Sequence, residues 1–242
     1  MQYSAIAISA LAVFVVACGT SSGSAPVDAS GGPHDAVSDG DSSTPPPLDA
    51  AGASDDAGMT QGGPITCPDP GMPRHNGGAC GSERWAIKVG TDSQANGVSL
   101  VPRPNTIAAL AALPANGGGA SRTSPTETTL WELKDVTLSE LKLEADSDYH
   151  LVLSDGTHTL IAEVPYPTCA TGSPWLCFES RARAEIDAKY TVSSSPSYPA
   201  AVVTVRGVGF FDLPHGQAGV APNAIELHPV LELCFGHGCT PT

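Results

Sequence analysis

Between Phe14 and Trp85 the chain carries no aromatic residue, and before Arg74 it carries no Lys or Arg. Residues 19–66 consist mainly of Ser, Gly, Ala, Pro and Asp, too poor in large apolar side chains to offset the entropy of ordering a backbone. A disordered tether over residues 18–66 is expected, and any core must come from residues 67–242, a length that suits one domain. The net charge of −14 arises from 25 acidic against 11 basic residues, and all the acids between Cys18 and Arg74 are Asp. No basic stripe or Lys/Arg cluster follows in the second part, which argues against nucleic acid as a partner.

The apolar run Ala5–Ala17 is too short to span a bilayer as a helix and matches the centre of a secretory signal, so residues 1–17 read as a signal peptide. Val15-Val16-Ala17-Cys18-Gly19 resembles the lipobox of bacterial lipoproteins, in which a Cys after small residues receives a diacylglyceryl group and becomes the mature N-terminus. The resemblance implies lipidation at Cys18 and a membrane partner reached through that anchor. Gly19 rather than Asp after the Cys resembles the pattern sent on to the outer membrane of Gram-negative cells. The chain departs from the lipobox family in having no Lys or Arg before the apolar run.

Six Cys remain beyond the signal: Cys67, Cys80, Cys169, Cys177, Cys234 and Cys239. An even number in an exported chain reads as disulfides. They fall in three sequence-local couples around Gly- or Pro-containing loops, and local closure favours 67–80, 169–177 and 234–239. The competing reading is a zinc site of Cys with His237 or His215, but no C-x-x-C pair is present.

Alternation and turn residues outline the fold. Trp85-Ala-Ile-Lys-Val89 reads as a short strand, and Asn105 or Thr106 as the cap of a short helix through Ala112. From Glu127 to Glu144 the apolar positions change phase, as in a bent, bulged strand. A hairpin follows, with Tyr149, Leu151 and Leu153 on one face, the turn Asp155-Gly156, then Leu160, Ala162 and Val164. Apolar residues at 178, 182, 186 and 190 mark one amphipathic helix, and 201–211 and 225–235 give two more strands. Long bent strand, hairpin, helix, strand, strand is the element order of the OB-fold, a mainly β, small five-stranded barrel with one helix between strands 3 and 4.

Four stretches, Glu144-Ala-Asp-Ser-Asp-Tyr-His-Leu-Val-Leu153, Ile161-Ala-Glu-Val-Pro165, Val205-Arg-Gly-Val-Gly-Phe-Phe-Asp212 and the run from His215 to Leu231, resemble a set of exported bacterial proteins without assigned activity. The resemblance implies one compact envelope domain and brings no reaction, cofactor or ligand with it. Asp146-Ser-Asp-Tyr-His150 also resembles the Asp-Gly-Asp-Thr of thermonuclease-like OB domains, whose carboxylates hold calcium beside a phosphodiester. Here Tyr149 replaces the Thr, and Leu160-Ile-Ala-Glu-Val164 offers none of the arginines those enzymes place there.

The polar faces of the predicted strands carry His150, Glu163, Glu226 and His228, and the loop after the fourth strand adds Asp212 and His215. Six such groups could bind a divalent metal or act as acid and base, although a solvated strand face explains the same alternation. No Gly-x-Ser-x-Gly elbow or phosphate-binding loop ending in Lys occurs. The expectation is therefore a lipid-anchored, non-catalytic binding module that needs no cofactor, with a metal-dependent hydrolase as the alternative. If Cys18 is the lipid-bearing residue, Cys18→Ala will abolish labelling by fatty acid in cells and shift the protein from the membrane to the soluble fraction, since acyl chains supply the membrane affinity.

Overall fold

The computed structural model describes residues 79–116, 118–214 and 216–242, so the signal segment, Cys18, the tether, Cys67 and His215 lie outside the described residues. Six strands are formed there: β1 (Ser99–Asn105), β2 (Thr129–Leu143), β3 (Tyr149–Ser154), β4 (Thr159–Val164), β5 (Ala201–Phe211) and β6 (Ile225–Phe235). The α-helices are α1 (Trp85–Lys88), α2 (Ile107–Ala111) and α3 (Leu176–Asp187).

The barrel follows from the phase slips in β2. Its pairing with β5 shifts register between Leu133 and Val136, and its pairing with β3 shifts between Leu138 and Glu140. Asp135, inside the first shift, has φ 51°, a left-handed conformation that turns the strand. Each slip resets the alternation, so Leu133, Val136, Leu138, Leu141 and Leu143 all reach the same core. The bent strand pairs with β3 and with β5, closing the ring β2-β3-β4-β6-β5. Every neighbour in the ring is antiparallel except β4 and β6, which run parallel. This is a closed five-stranded, OB-like barrel with α3 between its third and fourth strands.

Ala182 and Ile186 of α3 pack into the core, one helical turn apart. Tyr190, beyond the helix end, packs against the same cluster. Arg183 is buried beside them, donating to the carbonyls of Val164 and Ser147 while its guanidinium lies 3.6 Å over the Tyr149 ring. Arg206 joins Glu132 and Glu232 across three strands at 2.7 and 2.6 Å.

Three expectations change. Trp85–Lys88 is a helical turn rather than a strand: Arg84 takes φ 47°, and its carbonyl accepts from Ile87 and Lys88. A short apolar run does not by its period separate these two forms. β1, which the alternation did not indicate, pairs in parallel with the start of β2. Its Pro102 and Pro104 are compatible with an edge position outside the ring. The short helix α2 is capped as expected, the Thr106 hydroxyl accepting from the Ala109 amide at 3.1 Å.

The third change concerns the cysteines. Cys234 pairs with Cys239, but Cys80 pairs with Cys169 across 89 positions, which excludes both 67–80 and 169–177. Cys177 is disulfide-bonded as well. Tertiary contact brings the distant pair together, because the segment around Arg84 folds back onto the barrel. Arg84 makes a bidentate ion pair with the fully buried Glu127 at 2.8 and 2.9 Å and donates to the carbonyl of Phe211 at 2.8 Å. Arg122 anchors the next turn through Asp92 and the Ile87 carbonyl.

Loop closure predicts unequal roles for the two bridges. Removing Cys80–Cys169 as Cys80→Ala/Cys169→Ala should cost about 4 kcal/mol, against about 2 kcal/mol for the short Cys234–Cys239 loop, measured by urea denaturation. Peptide mapping without reduction should recover Cys80 linked to Cys169.

Candidate functional site

Alternation along β3, β4 and β6 turns Tyr149, Leu151, Ala162, Val164, Ile225 and Leu227 toward the core. It therefore turns His150, Glu163, Glu226 and His228 to the outer face. Contrary to the expectation of a solvated face, these four are buried, with His150 and His228 at 0 % exposure. The cover is the N-terminal segment: α1 lies over this face and lowers Lys88 into it, 3.4 Å from Asp212. Asp212 extends just past β5 and is itself buried.

Glu163 is the centre. It faces His150 across the β3–β4 ladder, accepting at Oε1 from Nδ1 at 3.0 Å, while Oε2 lies 3.0 Å from His228 Nδ1. His228 Nε2 is 3.4 Å from Asp148 Oδ2, and His150 Nδ1 is 3.5 Å from Glu144 Oε1. The arrangement is a chain in which acid and imidazole alternate: Asp148, His228, Glu163, His150, Glu144. Asp148 is fixed by accepting at Oδ1 from the Tyr166 amide at 3.0 Å. Its Oδ2, both ring nitrogens of His228, Glu226 Oε2 and Asp212 Oδ1 are buried without an aligned hydrogen bond. The contacts of His228 are thus charge pairings rather than directed hydrogen bonds.

Burial opposes the Glu163 carboxylate, but His150 and His228 hold it well below the usual range. Burial likewise opposes the His228 imidazolium, yet Asp148 and Glu163 push its pKa up to about 10. Burial lifts the Asp148 carboxyl to about 6. Burial together with the charges of Glu163 and Asp212 drives Glu226 well up. Four buried carboxyls, Asp148, Glu163, Asp212 and Glu226, thus lie around Lys88 and His228, with the buried Arg183 of α3 acting on Asp148 as well.

The cluster opens to a cavity of about 380 Å³ lined by Trp85, Lys88, Glu144, Asp146, Glu163 and Asp212, with Glu83 also at its wall. Of the sequence-predicted residues, His150, Glu163, Asp212, Glu226 and His228 converge here, whereas His215 lies outside the described residues. Asp146 and Asp148 sit in a turn in which the Asp148 amide donates to Asp146 Oδ1 at 3.3 Å. Sequence reading reached Asp146 and Asp148 only through the thermonuclease resemblance and did not assign Lys88 or Glu144, and no local pattern links Lys88 to Asp212, 124 positions away. The cysteines described here are disulfide-bonded, and His237 is exposed beside Asp135, so the alternative zinc centre of thiolates with His237 does not form among the described residues. Comparison of the chain with protein-family models, curated proteins and solved structures found no match.

The raised His228 pKa has a consequence for stability. The folded state keeps the imidazolium proton up to about pH 10, whereas the unfolded chain releases it near 6.5. The contribution is complete below pH 6.5 and is lost as pH rises toward 10. Urea denaturation should therefore show stability falling over that window, on the order of a few kcal/mol, and His228→Gln should flatten the fall.

Proposed function

We propose that this protein is a lipid-anchored module of the bacterial cell envelope whose barrel domain binds a small, positively charged ligand in the acidic cavity beneath the N-terminal segment. The observation that carries the reading is the excess of acid in the cavity wall. Glu83, Glu144, Asp146, Glu163 and Asp212 line it, with Lys88 as the one cation among the lining residues. Burying unbalanced charge costs stability, and a cationic ligand would offset that cost. Trp85, half-buried, is the aromatic residue of the cavity wall, a side-chain type that organic cations contact.

The lipobox-like Val15-Val16-Ala17-Cys18 supports an outer-membrane anchor, and the disulfides fit an oxidising, exported compartment. A tether of residues 18–66 would let the domain range on the order of 35 to 40 Å from the anchor. The acidic cavity disfavours phosphate, in keeping with the expectation that nucleic acid is not a partner. A second reading, metal-dependent hydrolysis, is favoured by one observation: two sets of carboxylate and imidazole donors, Glu144–His150–Glu163 and Asp148–Glu163–His228, each lie within 4.8 Å.

Isothermal titration with spermidine and with succinate tests the binding reading. Spermidine should bind and succinate should not, and Asp212→Asn should weaken spermidine by roughly tenfold, the worth of about 1.4 kcal/mol. Equal affinity for the two probes, or none for spermidine, overturns the reading.

A further inference from the structure

We propose that Glu144, His150 and Glu163 form a divalent transition-metal site, best suited to zinc, at the side of the acidic cavity. The inference rests on the reading of that cavity as a cation site and names one ion for it. Three separate places in the fold supply the donors: Glu144 just beyond β2, His150 on β3 and Glu163 on β4. His150 Nδ1 lies 3.0 Å from Glu163 Oε1 and 3.5 Å from Glu144 Oε1, and the donor atoms of all three residues are within 4.8 Å of one another. Ligands placed about 2.0–2.2 Å from a tetrahedral zinc ion are separated by about 3.3 Å, so the spacing accepts the ion with little movement. Two carboxylates and a neutral imidazole match its charge, and the imidazole selects zinc over calcium or magnesium.

The surroundings of Glu163 fit this assignment, while the other ring nitrogen of His150, Nε2, is buried without a hydrogen-bond partner. Glu163 turns its other oxygen to His228, and His228 is held in turn by Asp148, an outer layer that fixes which oxygen Glu163 presents. The alternative set, Asp148–Glu163–His228, is less suited: the two nitrogens of His228 face different carboxylates, so the ring bridges them instead of converging with them. Glu144 and Glu163 both line the cavity, which leaves the fourth zinc position toward it. Asp212 lines the same cavity, its Oδ2 3.4 Å from Lys88 Nζ, so a second carboxylate and a cation stand beside the proposed site.

A cation already stands at the rim. Lys142 Nζ is 2.9 Å from Glu144 Oε1, the same oxygen assigned to the metal. Lys142 is part-exposed and has a flexible stem, so zinc would displace it into solvent, and the exchange weakens binding. Removing this competitor should therefore tighten the site, an effect that a purely structural ion pair would not produce.

The test uses the untagged mature chain, stripped by chelator and titrated with zinc chloride. One zinc per chain is expected. Glu144→Gln, at the part-exposed rim where folding is least at risk, should weaken binding at least tenfold, and His150→Gln at least a hundredfold. Lys142→Met should strengthen it severalfold, with circular dichroism checking the fold of each variant. Folded wild-type protein that takes up no zinc, or zinc binding unchanged by Glu144→Gln, overturns the assignment. The spermidine titration separates the two ideas: spermidine bound without zinc removes the metal site alone, and zinc bound without spermidine removes the organic-cation reading alone.

Discussion

The fold depends on β2 bending enough to pair with both β3 and β5. A straight fifteen-residue strand would extend an open sheet with two exposed edges. The register shifts at Leu133/Val136 and Leu138/Glu140 convert it into the wall of a closed ring. β1 then covers the part of the β2 edge that β3 leaves unpaired, since it meets Thr129–Leu133 and β3 meets Thr137–Leu143. Closure also fixes which side chains face outward, and so brings His150, Glu163, Glu226 and His228 to neighbouring places on one wall.

An outward wall of this kind would ordinarily face water. What changes its chemistry is the N-terminal segment, clamped by the Arg84–Glu127 ion pair and by Cys80–Cys169. Glu127 is fully buried and also accepts from the amides of Phe211 and Thr123, so its charge is satisfied four times over. The same return of the chain places Lys88 and Trp85 over the polar wall and lowers the local dielectric, which strengthens every pairing there. The clamp and the site are thus one construction.

The two buried polar networks differ in how well they are satisfied. Around Glu127 the donors and acceptors match, as structural networks usually do. Around Glu163 several oxygens and both nitrogens of His228 lack aligned partners, and burial raises the pKa values of three acids, Asp146, Asp148 and Glu226. Apolar residues of similar volume would fill this wall at lower cost. That contrast within one domain is the physical reason for proposing the Glu163 cluster, and not the Glu127 cluster, as a binding site.

Local periodicity was enough to read the barrel. The phase slips of β2, the alternation of Tyr149, Leu151 and Leu153, and the four-residue spacing of Ala182, Ile186 and Tyr190 are properties of neighbouring residues, and they led to the OB-like order without any distant contact. The same alternation marked His150, Glu163, Asp212, Glu226 and His228 as polar positions on or beside neighbouring strands. It did not carry their burial, because burial depends on what covers a face, and the cover comes from residues some 60 to 140 positions earlier in the chain. For the same reason the pairing of Cys80 with Cys169, the entry of Lys88 and the joining of Glu144 and Asp148 to the cluster were decided by tertiary structure alone. Chain direction and side-chain period are written locally, whereas proximity between distant segments emerges only when the whole chain has closed on itself.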